Sequence, residues 1–267
     1  MFKLIVSDFD NTLVGHDLVL DQVIVDHVIK LKEQAGINFT VASGRGYYGN
    51  LSDAVAQMHI STPVIIRNGA EIVDPQTHKA LYGKYMKPEV TSEIVKHIIA
   101  NNFEFYVEKG EFTYSRNAVP GKHAPNEQYL DINTIDFENI PKILIKVNNM
   151  AEAEELHEYI SSAFPDQIAI KMNPIKDGDV AVDVNSSEVS KASAVKYLRE
   201  YLGVRKEEVI AIGDNNNDMP LFEEAGFKVA VGNALESLKS KADYIAPSEE
   251  ENGVAYFIDQ LIAGNVQ

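Results

Sequence analysis

The sequence predicts an α/β fold in which a doubly wound parallel sheet is interrupted by an inserted α+β segment. Two observations carry this prediction. Short apolar strands alternate with amphipathic helices over residues 2–58, and the same alternation returns over residues 190–262. Between these stretches a helix is followed by two strands, and this order occurs twice. We therefore expect a discontinuous core domain of residues 1–84 and 186–267, with an inserted domain of residues 85–185.

The first half of the core is predicted from apolar periodicity. Phe2 to Val6 is a short apolar run typical of a buried strand. Asp21 to Gln34 carries apolar residues at helical spacing and is closed by Gly36, which predicts an amphipathic helix. The next expected elements are a strand over Ile37–Ala42, a helix over Leu51–Met58, a third strand over Pro63–Arg67, and a hairpin of Ile72–Val73 with Ala80–Tyr82.

The insert is predicted to begin with a helix over Pro88–Asn101, followed by two strands, Phe103–Glu108 and Glu111–Ser115. The polar stretch from Asn117 to Asn139 shows no clear period. The remaining expected elements are a strand over Lys142–Asn148, a helix over Ala151–Ala163, and strands over Gln167–Asn173 and Val180–Val184. This order favours an antiparallel sheet.

The core pattern resumes with a predicted helix over Ser190–Leu202 and a very apolar strand over Glu208–Ile212. The turn Gly213–Asp218 then leads into a helix that continues through Ala225. The last expected elements are strands over Phe227–Val231 and Asp243–Ala246 and helices over Ala234–Lys241 and Gly253–Ile262. Such alternation is typical of a parallel sheet whose strands all end at one edge.

The composition narrows the class of protein. The chain has 267 residues, no cysteine and a formal net charge of −16. Disulfides, thiolate metal sites and cysteine nucleophiles are therefore excluded, and we expect no binding to nucleic acid or to anionic membranes. No apolar run approaches the roughly 18 residues that cross a membrane, and the sequence opens without a secretory signal. We therefore expect a soluble, cytoplasmic protein.

Asp8 and Asp10 follow the first strand and are candidate catalytic residues. Side chains two apart on an extended backbone point the same way, so these carboxylates repel each other unless a cation or a shared proton intervenes. The functional interpretation is a Mg²⁺ site in which Asp8 attacks phosphorus and Asp10 is a general acid and base. The structural interpretation is a strand end with turn-forming residues, and this short pattern alone does not separate the two.

A second acidic cluster, Asp214 with Asp218, follows the strand that ends at Ile212. Ligands of open α/β sheets bind outside the carboxyl ends of the strands, so the two acidic clusters can meet in one crevice. Carboxylate oxygens, waters and a substrate phosphate are the ligands that Mg²⁺ prefers. The alternative is an Asn-rich turn in which Asp218 caps a helix.

Groups that can bind phosphate are predicted at two further places. Ser43 and Gly44 offer a hydroxyl and a backbone N–H that can approach an anion at a helix start, although a Ser-Gly pair is also an ordinary turn. Lys191 begins the helix that resumes the core, and we expect it to offset the acidic residues and bind a phosphoryl group. The alternative is that Lys191 is an ordinary helix lysine exposed to solvent.

Four motifs together resemble those of the haloacid dehalogenase superfamily, in the same order. They are Asp8–Thr12, Ser43–Arg45, Ser190–Lys191 and Gly213–Asp218. Three further segments resemble the Cof-type phosphatases of that superfamily: Arg67–Ala70, Val231–Asp243 and Asn252–Ala255. The resemblance implies a Rossmann-like core with an inserted cap domain of type IIB. It also implies Mg²⁺-dependent hydrolysis of small phosphomonoesters through an aspartyl-phosphate.

The resemblance also implies roles for individual residues. Asp8 would be the nucleophile and a metal ligand, and Asp10 the acid and base whose backbone carbonyl reaches the metal. The other implied roles are phosphate binding by Ser43, Gly44, Lys191 and Asn217, metal binding by Asp214, and orientation of Lys191 or metal-bound water by Asp218. The chain departs from the family pattern twice, since Ser43 replaces the commoner Thr and Ala192 follows Lys191 where Gly is usual.

The leading functional hypothesis is a Mg²⁺-dependent phosphatase of small metabolites such as sugar phosphates. One alternative is a phosphomutase that passes the same aspartyl-phosphate to another hydroxyl, and another is a phospho-ligand binding protein without catalysis. We expect a monomer or a weak homo-oligomer. The insert is expected to cover the crevice and select the substrate. Its candidate contacts, each of which is also readily an ordinary surface residue, are Lys109, Arg116, His123 and Lys171.

Overall fold

The structure, a computed structural model, describes residues 1–116 and 128–266. The chain divides into two compact units, of which the first is Met1–Tyr82 with Ser190–Gln267 and the second is Gly83–Val189. In the described part of the chain, no helix is long and apolar enough to cross a membrane.

The chain passes from one unit to the other after Tyr82 and after Val189, whereas the predicted domain boundaries lie after residues 84 and 185. Residues 186–189 stay with the second unit because its last strand runs to Ser186. The Val189 N–H then donates to the Ser186 carbonyl at 3.0 Å and closes a turn. The assignment of the units as a core domain and a cap domain stays a prediction.

The first unit opens with the predicted strand–helix alternation. Its elements are β1 (Leu4–Ser7), α1 (Gln22–Ala35), β2 (Asn38–Val41), α2 (Gly49–Gln57), β3 (Val64–Ile66), β4 (Glu71–Val73) and β5 (Ala80–Gly83). The predicted third strand is present as β3. β3 belongs to a separate three-stranded sheet with β4 and β5, because the chain turns back at Arg67 and pairs β3 with β4 in antiparallel register. An isolated parallel bridge between Ala42 and Ile65 links β3 to the end of β2.

The second unit is an α+β arrangement with its own apolar core. Its elements are α3 (Pro88–Ala100), β6 (Glu104–Lys109), β7 (Phe112–Ser115), β8 (Gln128–Asp131), β9 (Lys142–Val147), α4 (Met150–Ala163), β10 (Ile168–Pro174) and β11 (Val180–Ser186). Six strands form one sheet in the order β10-β11-β9-β6-β7-β8. Neighbouring strands are antiparallel, as expected, except for β7 and β8, which are parallel.

The first unit then resumes and completes a parallel sheet. The remaining elements are α5 (Lys191–Tyr201), β12 (Val209–Gly213), α6 (Met219–Glu223), β13 (Phe227–Ala230), α7 (Glu236–Lys239), β14 (Tyr244–Ile245) and α8 (Gly253–Ile262). The strand order is β14-β13-β12-β1-β2, with all neighbours parallel. β1 and β12 are completely buried, as expected of central strands with helices on both faces. Because β1 lies between β12 and β2, the residues that follow these three strands emerge side by side.

Glu208 ties the start of β12 to the chain that enters β1. Its carboxylate accepts a hydrogen bond from the Arg205 N–H at 2.9 Å and pairs with Lys3 Nζ at 3.0 Å and Arg205 Nη2 at 3.2 Å. The hydrogen bonds from the Arg205 side chain and backbone, followed by that from Lys3, lower the pKa of Glu208 to about 2. The Lys3 N–H also donates to the Glu208 carbonyl at 2.8 Å, so this carboxylate reinforces the junction of the two central strands.

We predict that Glu208→Gln lowers the free energy of unfolding at pH 7. The glutamate pKa in an unfolded chain is about 4.3, so the stabilisation is fully present above that pH and is lost as the pH falls toward about 2. Urea unfolding should therefore show a difference between the two proteins that is constant near neutrality and narrows below about pH 4. The control is Glu236→Gln, whose side chain is 90% exposed and should matter little. Equal effects of the two substitutions would contradict this account.

Candidate active site

A buried lysine holds the first acidic residue in place. Asp8 directly follows β1 and is 5% exposed, and Lys191, the first residue of α5, is 2% exposed. Lys191 Nζ donates to Asp8 Oδ1 at 2.5 Å and to Asp218 Oδ1 at 2.7 Å. The hydroxyl of Ser190 caps α5 by accepting from the Ser193 N–H at 3.0 Å, which fixes where the helix begins. The interpretation of Lys191 as a solvated helix residue is therefore wrong.

The second acidic pair follows β12 and lies beside Lys191. Asp218 is fully buried, and its Oδ2 accepts from the N–H groups of Asp214 and Asn215 at 3.1 and 3.2 Å. Asp218 precedes α6, but its side chain does not cap that helix. It instead holds the turn after β12 and orients Lys191. Asp214 is 8% exposed and accepts a hydrogen bond from Thr12 Oγ1 at 3.3 Å.

Burial and mutual repulsion shape the charges of this cluster. Burial, followed by the charges of Asp218 and Asp214, raises the pKa of Asp8 well above its usual value, although Lys191 opposes the shift. Burial and then the charge of Asp218 raise the pKa of Asp214 to about 7, against the hydrogen bond from Thr12. Burial alone would lower the pKa of Lys191, but the charges of Asp218 and Asp8 outweigh it and raise that pKa, so the ammonium stays charged.

These carboxylates fit a divalent cation. Within residues 1–116 and 128–266, Asp8, Asp214 and Asp218 each offer an oxygen, and the three oxygens lie within 4.8 Å of one another. Carboxylate oxygens are the donors that Mg²⁺ takes in proteins. A dication among them would remove the repulsion that raises the pKa values of Asp8 and Asp214. Both oxygens of Asp218 already accept hydrogen bonds, which leaves Asp8 and Asp214 as the carboxylates better suited to hold a metal.

The carboxylate of Asp10 is paired with a cation, Arg45, as the close spacing of Asp8 and Asp10 in the sequence calls for. Arg45 Nη2 donates to Asp10 Oδ1 at 2.7 Å, and Arg45 Nε lies 3.0 Å from both carboxylate oxygens. Both side chains are more than one-third exposed. The Asp10 carboxylate is thus engaged by Arg45, whereas the family resemblance implies a metal contact through the Asp10 main-chain carbonyl.

Arg45 is a candidate functional residue to which sequence reasoning assigned no role. It stands within the motif Ser43–Arg45, yet only the serine and glycine received roles. A signal was available, because a basic residue just beyond a strand end is informative in a chain with a net charge of −16. A bidentate arginine–carboxylate pair fixes both the position and the direction of the carboxyl group.

The predicted phosphate-binding residues border the same strand ends. Ser43 is fully buried, and its Oγ accepts from the Arg45 N–H at 3.1 Å. A Cβ at Gly44 would lie 3.0 Å from Asn68 Oδ1, so a larger side chain would crowd this loop. Asn217 stands in the turn between β12 and α6, and its Oδ1 is buried without a hydrogen-bond partner. The first unit thus brings all the predicted core residues to one edge of the sheet.

Two of the residues proposed for substrate contact in the second unit, Lys109 and Arg116, make local contacts. Lys109 pairs with Asp136, and the guanidinium of Arg116 donates to Asn102 Oδ1 at 3.0 Å and to the Ile99 carbonyl at 2.7 Å. Lys171 lies on β10, and His123 lies outside the described residues. The contacts of Lys109 and Arg116 agree with their interpretation as structural residues.

A family model and the sequences of related proteins both point to one protein family. The model of the haloacid dehalogenase-like hydrolase family matches residues 5–258. The 5-amino-6-(5-phospho-D-ribitylamino)uracil phosphatase YwtE of Bacillus subtilis is 28% identical, with 98% of this chain and 99% of that protein covered. Phosphoglycolate phosphatase 1 of Saccharolobus solfataricus is 26% identical, with 99% of this chain and 97% of that protein covered.

A solved structure agrees with both the fold and the family. The crystal structure of a haloacid dehalogenase-like hydrolase from Bacteroides thetaiotaomicron superposes with a TM-score of 0.84 at 25% identity, and it covers 98% of this chain and 100% of that one. The predicted α/β fold class is confirmed, as is the resemblance to the haloacid dehalogenase superfamily and its Cof-type phosphatases. This chain belongs to the haloacid dehalogenase-like hydrolases.

Proposed function

We propose that this phosphomonoester hydrolase releases phosphate from small phosphorylated metabolites through an aspartyl-phosphate on Asp8, with Mg²⁺ as its cofactor. One observation carries the proposal: a buried, charged Lys191 bridges Asp8 and Asp218 while Asp214 lies within reach of the same point. A binding site for phosphate alone needs cations, whereas this site surrounds its cation with carboxylates. A nucleophile and metal ligands account for that excess of carboxylates.

In the first step, an oxygen of Asp8 bonds to phosphorus while the bond from phosphorus to the ester oxygen breaks. The departing oxygen takes a proton from Asp10 and leaves as an alcohol. In the second step, Asp10 accepts a proton from water, and the water oxygen bonds to phosphorus as the bond to Asp8 breaks. Lys191 would stabilise charge on the phosphoryl oxygens in both steps. It donates a hydrogen bond to Asp8, and the neighbouring carboxylates keep its pKa raised, so it stays protonated.

Asp10 needs a fixed direction to move protons at the ester oxygen, and Arg45 supplies it. The bidentate pair holds both oxygens of the ionised carboxylate. When Asp10 carries the proton that it gives to the ester oxygen, the protonated oxygen releases Arg45 and the other oxygen keeps the pair. Partial exposure of the two side chains leaves Asp10 accessible to substrate and water. We therefore assign Arg45 as a positioning residue that acts through Asp10.

Asp8 and Asp214, with the main-chain carbonyl of Asp10, would hold the Mg²⁺. When bound, the cation neutralises charge on the phosphoryl oxygens and on the surrounding carboxylates. The Thr12 hydroxyl donates a hydrogen bond to Asp214, and Asp218 accepts one from the main chain of the same turn. We propose that Asn217, in the same turn, contacts the phosphate through its side-chain amide.

The substrate class is inferred from the relatives. The two named above act, by their names, on a ribitylamino-uracil phosphate and on phosphoglycolate, which are both small phosphomonoesters. We propose sugar phosphates or similar small metabolites as substrates of this chain. The cytoplasmic location, and the state as a monomer or weak homo-oligomer, stay predictions.

We predict that the protein releases inorganic phosphate from an aryl phosphate such as p-nitrophenyl phosphate when Mg²⁺ is present and no acceptor alcohol is added. Asp8→Asn should lower turnover at least about 10⁴-fold, because the amide keeps the shape of the side chain but lacks the nucleophilic charge. The matched control is Asp53→Asn, an exposed residue of α2, which should retain activity. Wild-type turnover in Asp8→Asn would refute the covalent route, and phosphate transfer only to an added alcohol would identify a phosphomutase.

We predict that Arg45→Lys lowers kcat about tenfold, because lysine cannot form the bidentate pair that fixes Asp10. The decisive measurement is a double-mutant cycle with Asp10→Asn, using phosphate release as the readout. If Arg45 acts through Asp10, the effect of Arg45→Lys disappears in the Asp10→Asn background. Additive losses in the double variant would show that Arg45 acts independently of Asp10 and would overturn its assignment as a positioning residue.

A further inference from the structure

The turn after β3 has an unusual backbone. Arg67, Asn68 and Gly69 are consecutive and have φ values of 51°, 63° and 96°. A left-handed conformation is unfavourable for a residue with a side chain, so such a run persists only where its surroundings require it. We call Arg67–Gly69 the left-handed turn. Its residues carry none of the roles proposed above.

One side of the left-handed turn binds the loop that carries Ser43 and Arg45. The Asn68 N–H donates to the Ser43 carbonyl at 3.0 Å, and the Arg67 N–H donates to the Arg45 carbonyl at 2.9 Å. The Ser43 N–H in turn donates to the Ile65 carbonyl of β3 at 3.0 Å. The backbone on both sides of Gly44 is thus bonded to β3 and to the turn that follows it.

The other side of the left-handed turn lies against the start of α5. A Cβ at Gly69 would stand 2.4 Å from the Ser190 carbonyl oxygen and 3.0 Å from the Lys191 nitrogen. Both are backbone atoms, so a side chain here could be accommodated only by moving the first turn of the helix that carries Lys191. Two features require glycine at this position: its φ of 96° and the close approach of α5.

A buried ion pair lies within the same segment. Arg67 is 1% exposed and its Nη1 donates to the Glu71 carboxylate, which is also buried. Burial of two charges requires that they stay paired, since separating them would leave an uncompensated charge in the interior. Glu71 begins β4, so the pair ties the left-handed turn to the strand that follows it.

From these contacts we infer that the left-handed turn is a positioning element, which sets the distance between the Ser43 loop and Lys191 and so shapes the phosphate-binding site. The inference rests on the proposed function in one respect, namely that Ser43 and Lys191 bind the phosphoryl group. Gly69 is its most sensitive residue. A shift of about 1 Å in a positioned group can cost on the order of 100-fold in rate, so a small movement of α5 is enough to be measured.

The test is Gly69→Ala compared with Gly203→Ala, its matched control. Gly203 follows the other end of α5 with a φ of 67°, and a Cβ there meets nothing within 4 Å. Both substitutions impose left-handed strain, but only Gly69→Ala pushes on the start of the helix. We expect Gly69→Ala to lower kcat/KM for p-nitrophenyl phosphate about 10- to 100-fold and to raise the inhibition constant of inorganic phosphate, whereas Gly203→Ala leaves both unchanged.

A milder variant keeps the test decisive if Gly69→Ala does not fold. Asn68→Ala strains the same turn without a clash against α5 and should also raise the inhibition constant of phosphate. Unchanged phosphate inhibition in whichever of these variants folds, or equal changes in Gly203→Ala, would overturn the inference. If the wild-type protein shows no phosphatase activity, the proposed function fails by itself. Calorimetric titration of inorganic phosphate in the presence of Mg²⁺ then tests the turn independently.

Discussion

The architecture of the site depends on one buried interaction, in which the ammonium of Lys191 lies between Asp8 and Asp218. Charges removed from water are costly, and this triad is retained only because each member satisfies another. Asp8 and Asp214 nevertheless remain crowded enough for their pKa values to rise. The fold thus builds a place where negative charge exceeds what the lysine neutralises. A divalent cation would relieve that excess, and the proposed nucleophile and metal ligands are the carboxylates that create it.

The parallel sheet makes this arrangement possible, and the loops at its edge complete it. β1 is central, so Asp8 emerges between the Ser43 loop after β2 and the acidic turn after β12. Lys191 comes from a helix start, which the chain reaches only after the whole second unit. Its placement therefore needs separate support. The Ser190 cap fixes where α5 begins, and the close approach of Gly69 fixes how near that start lies to the Ser43 loop.

Sequence reasoning succeeded where local pattern and topology determine the answer. Apolar strands followed by Asp8, Ser43 and Asp214 predicted residues at one sheet edge, because parallel strands end on the same side. It failed where side chains choose among partners. Nothing in the spacing of Asp8 and Asp10 shows that Arg45 pairs with the Asp10 carboxylate, or that the second oxygen of Asp218 accepts from the main chain of its own turn. The parallel pairing of β7 with β8 was equally hidden, since it is a long-range choice of strand direction.

We propose that Asp8 and Asp214, beside the Lys191 bridge, hold one divalent cation. A titration of the metal-free protein with Mg²⁺ tests this, with the melting temperature and the heat of binding recorded at each Mg²⁺ concentration. We expect the melting temperature to rise to a plateau and the heat of binding to fit a single site. In Asp214→Asn, both the rise in melting temperature and the binding should be lost. A melting temperature that does not respond to Mg²⁺, or an equal response in Asp214→Asn, would contradict it.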